Sequence, residues 1–314
     1  MITISRYTPA DAREWDEFLP LTRNATFLHH RPYMDYHSDR FSDCSLMARS
    51  DSSHLLAVLP ANRVGTELWS HQGLTYGGWL MSLKHTAPAV MLHVMQAACE
   101  WMRAEGLTRL IYKPVPHIYH SYPADDDLYA LWRQGATLRE CNISTAISLA
   151  NPLPFDRGNK SGVNAALKHG VRVGQSDDWT GYWDVLGQVL QERHNAWPVH
   201  SLSEIELLHS HFPEQIRLYT ATLDGQMVAG VVMFLTRTVA HAQYIASSPV
   251  GREVKALPLL FHELIAQAKQ AGYAYFDFGT SNEQHGLVLN EGLVEQKSRL
   301  GGRGVAYCCY QLDL

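Results

Sequence analysis

Long apolar runs are missing from this 314-residue chain. None approaches the roughly 18 uninterrupted apolar residues of a membrane-spanning helix, so no transmembrane segment is expected. The first residues, MITISRYTPADAREW, lack the charged start and apolar stretch of a secretory leader, which reads as cytoplasmic. Cysteine is scarce and unpatterned: Cys44, Cys99, Cys141, Cys308 and Cys309 form an odd set without CxxC spacing, against both a disulfide framework and a zinc site. There is no HExxH among the 17 histidines, so no metal is expected even at His194 and His200. Blocks of like charge and low-complexity tracts are absent too, which argues against a disordered tail. With 26 Lys and Arg against 31 Asp and Glu, the net charge of −5 does not suit sequence-independent phosphate binding, except in a local groove. What is present is 46% apolar and 18% charged residues, globular values in a chain long enough for two domains.

The chain says similar things twice. SHQGLTYGG (70–78) is echoed by AHAQYIASS (240–248). MQAACEWMRAEGLTRLIYKPVP (95–116) reads as an apolar-striped helix, a glycine stop at Gly106 and a strand, and FHELIAQAKQAGYAYFDFGTSN (261–282) repeats that order with its stop at Gly272. The glycines lie 166 residues apart and His71 lies 170 from His241, nearly one register. A strand pair precedes each phrase, the second joined by an Asp224-Gly225 hairpin turn. In DDDLYALWRQGATLRECNISTAISL a short helix ends at Gly135 and two predicted strands follow. Each half therefore reads as helices, a β-meander with His71, Gln72 and Tyr76 or His241, Gln243 and Tyr244 on its last strand, a central helix, a strand, a short helix and final strands. The stretch ANPLPFDRGNKSG (150–162) is the predicted connector, dividing the chain into domains 1–149 and 150–314.

This order resembles the GNAT acyltransferase superfamily, and two such units in tandem resemble the Fem-type peptidoglycan-bridge aminoacyltransferases and their relatives beside surface-polysaccharide genes. The likeness is carried by RHNAWPVHSLSEIELLHSHFP (193–213), by HAQYIASS, and by YFDFGTSNEQHGLVLNEGLVEQKSRLGGRGVAYCCYQLDL, with an aromatic-Asp-Phe-Gly strand end, a Ser turn, an Asn-x-Gly-Leu helix and a lysine before a Gly-rich loop. It implies an α/β (α+β) fold of two tandem GNAT-like domains, each a mixed, mainly antiparallel sheet flanked by helices. It also implies that the fourth strand splays from the fifth, leaving backbone N–H groups for an acyl donor or acceptor.

Candidate site residues follow from strand ends and from the resemblance. In AYFDFG (274–279), Tyr275 and Asp277 alternate with Phe276 and Phe278, and Asp277 lies near the strand end with Gly279 and Ser281 in the turn beyond. Asp at such a place serves turn amides as often as chemistry. Acyl transfer to an amine needs groups that move protons, for which His241, Tyr244 and Asp277 are candidates. Lys297 resembles the lysine beside the family's active site and would meet an oxyanion or a phosphate, although Lys and Arg at a helix end also complement the dipole. Substrate binding is expected of Gln243, Ser281, Glu283, Asn290, Arg299, Arg303, Arg193, His200, Lys160, His71 and Tyr76. Where the family's opening helix carries two arginines after the lysine, this chain has Ser161 and Gly162.

These features predict a Fem-like enzyme transferring an aminoacyl or acyl group to an amine of a cell-envelope precursor or amino sugar by direct attack. No tightly bound cofactor is expected; the donor is aminoacyl-tRNA or acyl-CoA. The central helix starts SPVGREVKALPLL, a poor match to the Q/R-x-x-G-x-G/A pyrophosphate loop, and this favours the tRNA. An acyl-CoA N-acyltransferase of a nucleotide-linked amino sugar and a non-catalytic GNAT-like binding protein are the alternatives. The oligomeric state stays open.

Overall fold

The computed structural model describes residues 2–314, with Arg193 and His194 described by backbone alone. The chain packs as two compact units. One takes the described residues up to Asn142 with Gln284–Val288 and Ala306–Leu314; the other takes Ile143–Glu283 with Leu289–Val305.

The first unit runs β1 (Ile2–Arg6), α1 (Ala12–Phe18), α2 (Arg31–Asp35), β2 (Leu46–Ser50), β3 (Leu55–Leu59), β4 (Asn62–Val64), β5 (Glu67–Trp69), β6 (Leu80–Met81), α3 (Pro88–Ala104), β7 (Arg109–Tyr112) and α4 (Asp126–Arg133). Its strands β1-β2-β3-β6 form an antiparallel sheet, and β5 pairs parallel with β7. The apolar stripe of α3, with Met91, Met95 and Met102, is buried against Leu46, Trp79 and Leu110. Along β8 (Thr137–Ser148) the chain passes into the second unit.

There it runs α5 (Arg157–Lys168), β9 (Arg172–Ser176), α6 (Trp179–His194), α7 (Leu202–His211), β10 (Ile216–Leu223), β11 (Gln226–Leu235), β12 (Val239–Ser247), α8 (Pro249–Glu253), α9 (Ala256–Gln270), β13 (Tyr275–Thr280), β14 (Asn282–Glu283), β15 (Val288–Leu289) and α10 (Glu291–Arg299), and ends with β16 (Arg303–Asp313). β9 to β12 form the antiparallel meander, β13 pairs parallel with β12, and residues 144–148 of β8 pair antiparallel with β13. One sheet face packs on α9, where Phe276 and Phe278 meet Phe261 edge to face. The other packs on α6, which approaches closely because Gly230 has no side chain: a Cβ there would lie 2.4 Å from the Tyr182 ring. The sequence's hairpin holds, with Asp224 and Gly225 both at positive φ, as the primed turn requires.

Three expectations are corrected. His71, Gln72 and Tyr76 lie in a loop after β5, not on a strand: His71 itself takes a positive φ of 61°, and the Gln72 amide N–H and side chain are both engaged by Asn62. The two strands read after α4 are a single strand, β8, since nothing in Thr137–Ser148 breaks the extended chain. The connector is shorter than 150–162, because Asp156 accepts the amide of Asn159 and so starts α5 at Arg157.

Candidate active site

β12 and β13 run together for only three residue pairs, Val239 with Tyr275, Ala240 with Phe276 and His241 with Asp277. Beyond that point β12 continues to Ser247 without a β13 pair among the described residues, so the strands splay. The chemistry gathers where the splay starts. His241 Nδ1 lies 2.9 Å from Asp277 Oδ2. The other carboxylate oxygen accepts the hydroxyl of Ser144 at 2.5 Å and the amide of Gly279 at 3.2 Å. Asp277 is fully buried, while the His241 side chain keeps 13% of its surface exposed. A carboxylate held by two donors is suited to accept Nδ1–H, an arrangement that leaves Nε2 of such a pair free to take a proton.

A β-bulge decides what stands beside it. On β11, Val232 pairs with Tyr244 and Met233 with Ala242, so Gln243 is the extra residue. Strict alternation would send His241 and Tyr244 to opposite faces; the bulge puts both on the α6 face, opposite Phe234 and Val232. The Tyr244 hydroxyl lies 2.6 Å from His200 Nδ1 and accepts the His200 amide at 3.3 Å. Trp183 of α6 packs edge-on against the Tyr244 ring and donates its indole N–H to His200 O.

Lys297 is buried at the floor of the splay. Its ammonium donates to Gly279 O, Thr280 O and Ser281 Oγ at 2.8–2.9 Å, which engages all three hydrogens. Burial pushes its pKa down to about 8, with Asp277 pulling part of the way back. Its hydrogen bonds therefore brace the turn that carries Gly279, the donor to Asp277.

Two cavities adjoin this point. An apolar slot of about 240 Å³ lies between the splayed strands, walled by Ile245, Ala246, Phe261, Phe278, Leu293 and Val189, with Lys297 at its edge. It shares Ser247, Arg252, Leu257 and Gln296 with a wider cleft of about 440 Å³ at the start of α9. There Arg252, Lys255 and Arg299 outnumber Asp156 and Glu295. Cations beside the N-terminus of a 15-residue helix suit a phosphate-bearing donor. Gly162 lets α5 close on Pro258, and Gly251 seats α8 against β11, where an added Cβ would lie 2.1 Å from Val228 O. Gly251→Ala is accordingly expected to cost about 1–3 kcal/mol and lower Tm by several degrees. Gly174→Ala, whose added Cβ meets nothing within 4 Å, should stay within about 0.5 kcal/mol of the parent, a comparison read by thermal unfolding.

The remaining sequence candidates are dispersed. Asn290 caps α10 through the Leu293 amide, and its side-chain amide donates to exposed Glu283. Arg299 pairs with Glu295 at the cleft wall. Arg303 is exposed and donates to Gly302 O. Lys160 is exposed on α5, outside the residues that line the cleft. Arg193 lies in α6, its side chain outside the described residues. In the first unit His71 is buried and stacked on His37, and burial drives its pKa down to about 3, so it is a neutral ring. Tyr76 packs among Tyr119 and Tyr307. Sequence reasoning passed over Ser144, which carries no motif and precedes the predicted domain boundary, as well as Trp183, Arg252 and Lys255.

Comparison with known families decides the class: residues 160–285 match the acetyltransferase (GNAT) domain. The protein carries a GNAT acyltransferase domain. The match spans β10 to β13 and both members of the His241–Asp277 pair, and leaves Ser144 and Lys297 outside. No curated protein matches the chain. Among solved structures, FemX is 14% identical over 99% of this chain and 97% of its own, with a TM-score of 0.71. The C-terminal domain of a putative lysylphosphatidylglycerol synthetase from Agrobacterium fabrum is 10% identical over 98% and 93%, at 0.63. A tandem GNAT protein from the clavulanic acid biosynthesis pathway is 12% identical over 100% and 98%, at 0.52. Over its whole length the chain thus has the fold of two tandem GNAT-like units, with the acetyltransferase (GNAT) domain match in the second. Among the described residues no helix is long and apolar enough to cross a membrane.

Proposed function

We propose that this GNAT protein is an N-acyltransferase that moves an acyl group from a CoA thioester to an amine of a cell-envelope precursor or amino sugar by direct attack. The observation that carries the reading is the Asp277-oriented His241 at the mouth of the β12–β13 splay. His241 Nε2 takes a proton from the acceptor ammonium, and buried Asp277 stabilises the resulting imidazolium. The amine attacks the thioester carbonyl, and backbone N–H groups at the start of the splay would meet the oxyanion. As the C–S bond breaks, the Tyr244 hydroxyl gives its proton to the departing thiolate, the nitrogen's second proton passes to the Tyr244 oxygen, and the His241 imidazolium returns its proton to solvent.

The phosphate-suited cleft leading into an apolar slot supports acyl-CoA as the donor despite the weak sequence motif. A second reading, Fem-type transfer from aminoacyl-tRNA, is favoured by the likeness to FemX. Thermal unfolding with acetyl-CoA, longer acyl-CoAs and a stable aminoacyl-tRNA analogue separates them. A ligand at about 100 times its Kd adds roughly 2.7 kcal/mol, a rise of several degrees, and acyl-CoA is expected to give it. A shift with the tRNA analogue alone would move the assignment to the second reading. Silence from every donor, with firm binding of a precursor, would leave a binding protein.

A further inference from the structure

A third cavity of the second unit, about 320 Å³, lies under the other end of α9, apart from the donor cleft. Its roof is one stripe of α9, Leu264, Gln267 and Ala268, with Ala271 at the helix C-cap, and its floor is the same face of three strands, with Arg217 opposite Met233 and Leu235 opposite Ala240. Alanines at 240, 268 and 271 leave the space that larger side chains would fill. The lining mixes apolar side chains with the polar ends of Arg217, Tyr219, Gln267 and Tyr273. Arg217 reaches the Tyr219 hydroxyl and pairs with Glu214, whose side chain is 75% exposed. Tyr273 joins them: burial pushes its phenol up, and nearby Arg217 offsets part of that rise. The Arg217 guanidinium, which has two phenols near it, thus has as its carboxylate partner the largely exposed Glu214, and such a surface pair holds its cation weakly.

We propose that this cavity is a binding site for a small apolar monocarboxylate, its hydrocarbon part under α9 and its carboxylate on Arg217, Tyr219 and Tyr273. The size lies at the lower end of small-molecule pockets, about 300–1,000 Å³, and apolar walls with a few convergent polar groups are their usual make-up. The planar fork of arginine matches a carboxylate. The site is joined to the chemistry by shared elements. Ala240 precedes the base His241 on β12, and Leu264 lies one helical turn from Phe261, which walls the acyl slot. An occupant would act as an effector of the active site.

Isothermal titration with 1-naphthoate tests the assignment, in the presence and absence of saturating acetyl-CoA. The carboxylate is expected to bind in both conditions, and neutral 1-naphthamide at least 10-fold more weakly. Arg217→Gln should weaken 1-naphthoate at least 10-fold. Ala268→Leu, checked for an unchanged unfolding midpoint, should abolish binding by filling the cavity. No heat with 1-naphthoate, equal affinity for the amide, indifference to Arg217→Gln, or displacement by acetyl-CoA would each overturn the site.

Discussion

Replacing His241 by alanine is expected to lower kcat for acyl transfer by about 10²–10⁴-fold, the usual worth of a positioned general base, while the donor-induced rise in Tm persists. The separation follows from geometry. The donor cleft is lined by α5, α8, α9, α10 and, from β12, only Ser247, six residues beyond His241, so removing the imidazole leaves its lining in place. The pH dependence of kcat/KM should change with it, because the group that takes the acceptor's proton is gone. Asp277→Asn tests the same unit from behind. An amide facing His241 Nδ1 offers N–H where the imidazole needs an acceptor, so the ring loses the tautomer that leaves Nε2 basic, and a fall of similar size is expected. Steady-state kinetics across pH, read beside Tm with and without acyl-CoA, checks both. If His241→Ala kept wild-type kcat with an unchanged profile, the base would have to be sought elsewhere on the α6 face.

Much of this site was legible before the fold was seen, and the parts that were not share a cause. The alternation in AYFDFG is local, so it put Phe276 and Phe278 in the core and left Asp277 on the other face, as the structure has it. The Asp224-Gly225 hairpin and the helix stops at Gly106 and Gly272 are also local, each demanding positive φ at its own glycine. The bulge at Gln243 is different, because it is a property of how β12 pairs with β11, and no window of sequence along β12 contains it. It alone explains how His241 and Tyr244 share a face. Ser144 was invisible for a related reason: it reaches Asp277 from a strand 133 residues away, before the matched domain begins. The His71 and His241 phrases are alike in sequence, yet one lies in a loop with its imidazole entombed against His37 and the other lies on β12 beside a carboxylate, so the likeness carried over neither strand nor chemistry.

Lys297→Met should reveal a strut rather than an oxyanion cation, through a change in stability that depends on pH. The ammonium sits in a site that disfavours charge, so its folded pKa of about 8 lies below the ordinary lysine value of 10.5. Below about pH 8 both folded and unfolded chains carry the proton, and the folded state bears the whole cost of burying it. Between about 8 and 10.5 the folded protein releases the proton while the unfolded chain keeps it, so this group makes stability rise with pH; above 10.5 the gain is complete. The span corresponds to about 3 kcal/mol at 1.36 kcal/mol per pH unit. The difference in unfolding free energy between parent and variant should therefore move by that amount in the parent's favour from neutral pH to about pH 11. Burial sets Lys113 to about 8 as well, but both proteins retain it and it cancels in the difference. At neutral pH the variant leaves Gly279 O, Thr280 O and Ser281 Oγ without their common donor. The turn then loosens beneath the Gly279 amide that orients Asp277, and displacement of a catalytic group by about 1 Å costs on the order of 10²-fold in rate, so kcat is expected to fall by about 10- to 100-fold. Urea unfolding at a series of pH values, paired with kcat, decides the matter. A pH-independent stability difference together with abolished turnover would assign Lys297 to the reacting atoms instead, since an ammonium that met the oxyanion would have to give up a bond to this turn in every catalytic cycle.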